Sequence, residues 1–331
     1  MEQKKQRVVS GMRPTGKLHL GHYHGVLTNW IKLQEEYECL FFVADWHALT
    51  TEYSDPALIP QATRELVVDW LACGLDPKRS ILFIQSHIKE HAELFLLLAM
   101  LMPLGWLERV PSYKEMQQEL KGKDLSTYGF LGYPLLQAAD IIIYNAHKVP
   151  IGIDQAPHIE MTRELVRRFN HLYKKKVFVE PQSLMTEAPK LLGPDRRKMS
   201  KSYDNCLYLS DSSKDIEKKV MTSITDPARQ RREDPGNPEI CLIFDYHKLH
   251  SDKKDVKRID TECRKAEIGC VACKQLAAKN INTLLDKIRV QREVILSCPE
   301  KIDKILEEGC QKARQLAVTS MHKVREALKL E

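Results

Sequence analysis

Short apolar runs alternate with patterns of helical spacing through the first half of the 331-residue chain. Each run has the length and aliphatic content of a buried strand, and the residues after it repeat apolar side chains at helical intervals. The predicted strands are Arg7–Ser10, Leu40–Ala44, Ile81–Gln85 and Lys148–Ile151, and the predicted helices run to Glu36, around Arg64–Leu71, and over Glu93–Met102, Gly132–Tyr144 and Gln155–Phe169. This alternation is typical of an α/β fold with a parallel sheet.

Beyond Ser202 the strand pattern nearly disappears, and helical spacing dominates as far as a last predicted helix over Pro299–Leu330. The segment Thr225–Pro238 holds three prolines and mixed charge, which predicts an exposed connection. We therefore expect two domains, a Rossmann-like parallel-sheet domain over residues 1–203 and an α-helical domain over residues 204–331.

Composition indicates a globular protein in water, with 43% hydrophobic and 29% charged residues. The longest apolar stretch, Leu94–Leu104, is too short to span a bilayer, so we expect no membrane association. The first residues, MEQKKQRVVSGM, match neither a secretory signal nor a mitochondrial presequence, which predicts a cytoplasmic protein. The formal net charge of +6 suits a polyanionic partner but is too mild to identify one.

The first candidate for phosphate binding follows the first predicted strand, in the segment SGMRPTGKLHLGH that ends at His22. Its glycines permit tight backbone close to a ligand, and the start of a helix offers free N–H groups to phosphate. His19 and His22 lie three residues apart, so on a helix both imidazoles share one face and can converge on an anionic oxygen. Taken alone, this pattern is equally compatible with surface histidines on an ordinary helix.

A second basic segment, KMSKS, occupies residues 198–202, past the predicted strands. By itself it is compatible with a solvated basic loop. Lys198 and Lys201, three residues apart on a loop, can instead stabilise charge on the β and γ phosphates of a nucleotide. The order and separation of HLGH and KMSKS are those of class I aminoacyl-tRNA synthetases, which the chain resembles.

The residues around both motifs narrow the resemblance to the tryptophanyl-tRNA synthetase family, over nearly the whole chain. The similar stretches are SGMRPTGKLHLGHYHG, ADWHALTT, IQSHIKEHAEL, GWLERVPSYKE, YPLLQAADIIIYNAHKVPIGIDQAPHIEMTRELVRRFN and KMSKSYDN. The resemblance implies that tryptophan attacks the α-phosphate of ATP carrying Mg²⁺ and is then transferred to tRNA(Trp). It implies catalytic roles for His19, His22, Lys198 and Lys201, and an ATP site of Arg13, Thr15, Gly21, His22, Gly152, Lys198, Met199 and Ser200.

The resemblance also implies a tryptophan site, in which Asp140 accepts a hydrogen bond from the indole N–H. A substrate without that donor would leave a desolvated carboxylate unpaired, so phenylalanine should be rejected. The remaining predicted members are Tyr133, Gln137, Val149, Ile151, Asp154 and Gln155. Val149 and Ile151 would form apolar walls, while Asp154 could instead cap the following helix. The family usually has glutamate where this chain has Ile153, so any polar role at that position is lost or supplied elsewhere.

Three other functions compete with this interpretation. Tyrosyl-tRNA synthetases share the fold, and Tyr133, Gln137 and Asp140 also match their spacing. A nucleotidyltransferase with HxGH would adenylate a small phosphorylated substrate, but it would need neither KMSKS nor a helical domain. A binding protein that recognises tryptophan without charging tRNA would not need the intact histidines and lysines of the two motifs.

Four of the nine cysteines form a candidate metal site: Cys241, Cys263, Cys270 and Cys273, separated by twenty-one, six and two residues. Four thiolates suit a four-iron four-sulfur cluster or a zinc ion, although cysteines are also common as buried structural residues. Some tryptophanyl enzymes carry a cysteine set of nearly this pattern that holds a four-iron four-sulfur cluster. The resemblance therefore favours that cluster, with a structural role, over zinc or no metal.

The partners that the resemblance implies are ATP, L-tryptophan, tRNA(Trp) and a second copy of the chain. Basic residues along Asp252–Lys279 and in the last helix are candidates for contact with tRNA phosphates, although such runs are also common on solvated helix faces. The apolar helix over Leu94–Leu104 is a candidate dimer interface or part of the core. We expect no binding to DNA.

Overall fold

One parallel sheet organises the computed structural model, which describes residues 5–110, 125–185 and 191–331. Every neighbouring pair of strands is parallel, and the order across the sheet is β3-β2-β1-β4-β5. The strands are β1 Arg7–Met12, β2 Glu38–Val43, β3 Ser80–Ile84, β4 Lys148–Ile151 and β5 Gln182–Met185. The predicted α/β class is confirmed.

Helices cover the sheet and form nearly all of the regular structure after it. Those that precede residue 203 are α1 Leu20–His22, α2 Thr28–Glu36, α3 Asp45–Glu52, α4 Ile59–Cys73, α5 Glu90–Ala99, α6 Leu104–Glu108, α7 Tyr128–Ile142 and α8 Ala156–Leu172. Those that follow are α9 Ser213–Met221, α10 Leu242–His250, α11 Lys253–Arg264, α12 Cys270–Leu296 and α13 Pro299–Leu328. In the described part of the chain, no helix combines the length and apolar character needed to cross a bilayer.

The central strands are buried on both faces, which explains why their sequences read as continuous apolar runs rather than alternating ones. In β2 the five residues from Cys39 to Val43 are all buried. Helix α4 packs Leu66, Val67 and Trp70 into the same core and ends at Gly74, whose φ of 112° suits glycine.

The strand order reverses direction between β1 and β4. The chain passes from β1 outward through β2 to β3, then returns to β4 on the other side of β1. In open parallel sheets this arrangement leaves a crevice at the carboxyl ends of the two central strands, where ligands bind. The HLGH segment follows β1 and residues 152–155 follow β4, so both lie at this crevice.

Several expectations needed correction. Strand β5 was not predicted, and it is a short, exposed edge strand with weak apolar character. The connection Thr225–Pro238 contains no helix before Pro238, but it is not simply exposed: Asp226 is buried and accepts a hydrogen bond from the backbone of Asn237 at 2.8 Å. The stretch Leu94–Leu104 is divided, with Leu94 and Leu98 in the core and other side chains exposed.

The last helix does not stay within a separate helical unit. Helix α13 lies against β3, so closely that a Cβ atom on Gly309 would collide with the carbonyl oxygen of Leu82. Cys310, Ala313 and Ala317 join the same apolar cluster as the sheet residues. The division of the chain at residue 203 therefore stays a prediction about sequence segments.

Candidate active site

The HLGH segment forms its own cap at the start of a helix. His19 has an extended backbone and its Nδ1 accepts a hydrogen bond from the N–H of Gly21 at 3.1 Å. The Nδ1 of His22 accepts from the N–H of His19 at 3.3 Å, which completes a reciprocal capping box. A Cβ atom at position 21 would lie 2.9 Å from the His19 ring, which explains on steric grounds why glycine occupies this position. The two imidazoles lie 3.8 Å apart, centre to centre.

These contacts define the charge and tautomer of both rings. Burial, and then the nearby Lys201, lowers the pKa of His19 to about 4. Burial, and then His19 and Lys201, lowers the pKa of His22 well below its usual value. Both rings are therefore neutral near pH 7, and because each Nδ1 is an acceptor, we assign the proton to Nε2. The pair offers two neutral N–H donors.

The KMSKS loop is held in place by Asn205. Its side-chain oxygen accepts from the N–H of Ser200 at 2.8 Å, and its amide donates to Asp195 at 2.7 Å. Met199 is buried, and its N–H donates to the carbonyl of Leu191 at 3.1 Å. These contacts fix the loop backbone on both sides of Met199.

Through this loop the two motifs meet. The ammonium group of Lys201 donates to the carbonyl of Thr15 at 3.0 Å, in the turn that precedes HLGH. Burial lowers the pKa of Lys201 to about 8. The Lys198 side chain is exposed and has no ion-pair partner among the described residues. The turn before HLGH and the KMSKS loop are therefore in contact in the folded chain.

Arg13 lies between the two predicted subsites. Its guanidinium donates to the hydroxyl of Thr51, whereas its Nε atom is buried without a hydrogen-bond partner among the described residues. Burial lowers the pKa of Arg13, and the nearby Glu52 and Tyr133 act in the opposite direction. Arg13 thus reaches from the turn after β1 toward the face of α7.

Helix α7 presents the predicted tryptophan-site residues along one face. The side-chain oxygen of Gln137 accepts from Nδ1 of His158 at 2.7 Å, and the Tyr133 ring lies 5.5 Å from the same imidazole, centre to centre. Burial lowers the pKa of His158 to about 4. Sequence reasoning missed His158, although it lies in a stretch that carries the family resemblance.

The Asp140 carboxylate is the centre of a buried polar network that the sequence did not reveal. It is 1% exposed and accepts from Nε2 of His47 at 2.8 Å, Nδ1 of His91 at 2.6 Å and the amide of Gln85 at 2.8 Å to both oxygens. The other nitrogen of His91 lies 2.6 Å from the hydroxyl of Tyr144. Burial by itself raises the pKa of Asp140, but the hydrogen bonds from His47 and His91 outweigh it and hold the pKa below its usual value.

Strand β4 and the residues after it hold the remaining predicted members of the tryptophan site. Val149 and Ile151 in β4 are buried and belong to the apolar core cluster of the sheet. Asp154 does not cap the following helix; it accepts a hydrogen bond from the amide of Gln155 at 2.8 Å. The capping alternative is therefore wrong. Ile153 is 72% exposed, so the departure from glutamate leaves an apolar side chain in solvent.

The four candidate cysteines all lie at helix ends. Cys241 precedes α10, Cys263 lies in the last turn of α11, and Cys270 and Cys273 lie in the first turn of α12. Burial, and then the charges of the other three thiols, raises the pKa of Cys273 to about 12. Within residues 5–110, 125–185 and 191–331, no group of three or more His, Cys, Asp or Glu side chains is arranged to hold a single metal ion.

Comparisons with known proteins agree on one family. Residues 1–286 match the family described as tRNA synthetases class I (W and Y). The chain is 52% identical to the tryptophan--tRNA ligase of Thermotoga maritima, over 98% of this chain and 99% of that protein, and 44% identical to that of Aquifex aeolicus, over 98% and 100%. A crystal structure of tryptophanyl-tRNA synthetase from Campylobacter jejuni, complexed with ADP and tryptophan, superposes with a TM-score of 0.89 at 32% identity and covers 98% of this chain and 100% of that one. The chain belongs to the class I tryptophanyl-tRNA synthetases.

Proposed function

We propose that this chain activates L-tryptophan with ATP to tryptophanyl-adenylate and pyrophosphate, and then transfers tryptophan to tRNA(Trp). The observation that carries the proposal is the contact of Lys201 with Thr15, 3.0 Å long, which joins KMSKS to the turn before HLGH. The two segments are 176 or more residues apart in sequence, counted from His22 to Lys198, and meet beside the crevice at the carboxyl end of β1. Family membership supplies the substrate class.

In this mechanism the tryptophan carboxylate attacks the α-phosphate directly. It is already ionised at neutral pH, so the step needs orientation and charge stabilisation rather than a base. His19 and His22 donate hydrogen bonds from their Nε2–H groups to phosphate oxygens without adding a positive charge of their own. Lys201 and Lys198 stabilise the charge that develops on pyrophosphate, together with the Mg²⁺ that accompanies ATP as substrate.

The other predicted ATP contacts surround this point. Arg13 and Thr15 lie in the turn that Lys201 contacts, and Gly21 leaves room for the His19 ring. Met199 and Ser200 carry the loop, while Gly152 follows β4 across the crevice. We assign these residues to ATP because a nucleotide that reaches both motifs must pass between them.

Asp140 selects tryptophan by accepting a hydrogen bond from the indole N–H of the substrate. Its network holds the carboxylate ionised in a buried site, which favours a substrate that donates a further hydrogen bond over one that cannot. Tyr133 and Gln137 share its helix face, Val149 and Ile151 wall the pocket, and Asp154 and Gln155 form its polar rim. These assignments are part of the proposal.

ATP–pyrophosphate exchange tests the whole proposal. Purified protein is assayed with tryptophan, with tyrosine and without amino acid, followed by aminoacylation of tRNA(Trp) transcript. We expect exchange and charging with tryptophan alone. Exchange with tyrosine would establish the tyrosyl alternative, and tryptophan binding without exchange would establish a binding protein.

We also propose a four-iron four-sulfur cluster on Cys241, Cys263, Cys270 and Cys273. The other three thiols all contribute to the raised pKa of Cys273, which supports their proximity. A four-iron core also spans more space than a single metal ion, for which the described residues offer no ready site. Burial and the neighbouring thiols raise the pKa of Cys263 and Cys273, and a cationic core would lower it if bound. The donor set therefore fits, and the cluster would brace the helix ends that it joins.

Metal analysis of anaerobically purified protein tests the cluster. We expect about four iron and four acid-labile sulfide per chain, both lost in Cys273→Ser, with no change in Cys298→Ser, because Cys298 is an exposed thiol outside the set. Stoichiometric zinc without iron would favour the zinc alternative, and absence of both metals would refute the site.

Further proposals concern assembly and tRNA. We assign residues 1–203 to catalysis and 204–331 to tRNA recognition, with basic side chains of Asp252–Lys279 near the phosphates, and we place the enzyme in the cytoplasm as a homodimer. Light scattering measures the dimer, and a salt titration of tRNA binding measures the phosphate contacts, since each lost contact lowers the salt dependence.

A further inference from the structure

We propose that His91 and Tyr144 are positioning residues of the tryptophan site: a two-link hydrogen-bond relay that holds Asp140 oriented and ionised for the indole N–H. The inference rests on the proposed function and deepens it. It assigns a specificity role to two side chains that touch no substrate.

The relay is closed off from solvent along its whole length. Asp140 lies in the last turn of α7, Tyr144 lies in the turn that follows this helix, and His91 reaches both from α5. His91 and Tyr144 are both 0% exposed, and the two contacts of the imidazole, to the carboxylate and to the phenol, are each 2.6 Å. Such short contacts in a water-free site act strongly on one another.

The proton positions follow from burial. Burial, and then the nearby Asp140, Cys310 and Glu90, raises the pKa of Tyr144 well above its usual value, so the phenol keeps its proton. That O–H therefore donates to Nε2 of His91, which leaves the imidazole proton on Nδ1, facing Asp140. Tyr144 thus fixes the tautomer of His91. The opposite tautomer would point a lone pair at the carboxylate.

The network around Asp140 has a closed side and an open side. His91 and Gln85 are fully buried, whereas the side chain of His47 is 11% exposed. Of these three donors only His47 is partly exposed, so the proposal places the substrate on that side of the carboxylate. His47 is therefore the neighbour that meets substrate, and His91 acts through Asp140 alone.

Loss of this support would change what Asp140 recognises. Burial alone favours the neutral carboxylic acid, and the hydrogen bond from His91 is one of the two that keep the group ionised. A protonated Asp140 offers an O–H donor as well as an acceptor, so its preference for the indole N–H falls. An analogue with sulfur in place of the indole N–H, benzothienylalanine, reports this preference directly.

Three variants in the full-length enzyme test the relay. His91→Leu removes both links, His91→Asn keeps an N–H for Asp140, and Tyr144→Phe removes only the tautomer lock. ATP–pyrophosphate exchange gives KM for tryptophan, for benzothienylalanine and for ATP. Circular dichroism and melting curves report folding.

We expect His91→Leu to raise KM for tryptophan about tenfold, while KM for ATP changes less than about twofold. The preference for tryptophan over the sulfur analogue should fall by about the same factor as KM for tryptophan rises. His91→Asn should restore most of the loss, and Tyr144→Phe should show a smaller change of the same kind. The relay would be overturned if KM for tryptophan and KM for ATP rose in parallel. It would also be overturned if a folded variant discriminated between tryptophan and benzothienylalanine as well as the wild type does. If His91→Leu does not fold, Tyr144→Phe decides by the same criterion. Wild-type enzyme without tryptophan-dependent exchange would instead refute the proposed function, and the relay with it.

Discussion

A buried ion pair between α4 and α12 gives the sharpest prediction about stability. Arg292 contacts Asp69 and donates to Glu65 at 2.7 Å, and the side chains of Arg292 and Asp69 are 8% and 2% exposed. The other oxygen of Asp69 accepts from the N–H of Leu18 at 3.3 Å, immediately before HLGH. Replacement of Arg292 by Met would leave a buried carboxylate without its cation. Breaking such a pair costs about 3–5 kcal/mol, so the free energy of unfolding should fall by that amount.

Urea denaturation followed by circular dichroism measures the change, with Arg64→Met as the matched control. Arg64 also joins α4 to a C-terminal helix, through Asp303, but both side chains are exposed, so its loss should cost at most about 1 kcal/mol. Adding Asp69→Asn to Arg292→Met should recover much of the loss, because the only carboxylate of this group left without Arg292 is then Glu65, which is 29% exposed. If Arg292→Met is as stable as Arg64→Met, the argument from burial is refuted.

Three further predictions concern Lys201 and Gly309. Because the pKa of Lys201 is about 8, its ammonium loses a proton as pH rises through that value. The rate of ATP–pyrophosphate exchange should therefore decline above about pH 8 in the wild type and not in Lys201→Arg. The same decline in both proteins would exclude Lys201 as its cause. Replacing Lys201 with Ala should slow adenylate formation far more than it weakens tryptophan binding, and equal losses would count against a transition-state role. Gly309→Ala should destabilise the fold by about 1–3 kcal/mol because its Cβ would collide with the carbonyl oxygen of Leu82, whereas Gly105→Ala, with open space around it, should be neutral in the same thermal melt.

The family and the chemistry of phosphate binding could be predicted from sequence because both are local. HLGH and KMSKS each carry their donors within five residues, and the alternation of apolar runs and helices predicts a parallel sheet whose crevice gathers loops. The strand Lys148–Ile151 was predicted with the bounds that the structure shows. The sequence pattern did not predict β5, because this short, exposed edge strand has little apolar pattern to detect.

The surroundings of Asp140 depended on tertiary structure. Its donors come from α3, from the turn after β3 and from α5, and no spacing in sequence relates His47, Gln85 and His91 to a carboxylate 49 or more residues away. The sequence alone determined which groups are available and that helices follow the strands. Packing of separate elements decided which nitrogen of each histidine carries the proton and that α13 returns to the sheet. Those are properties of burial and contact, and only the folded chain has them.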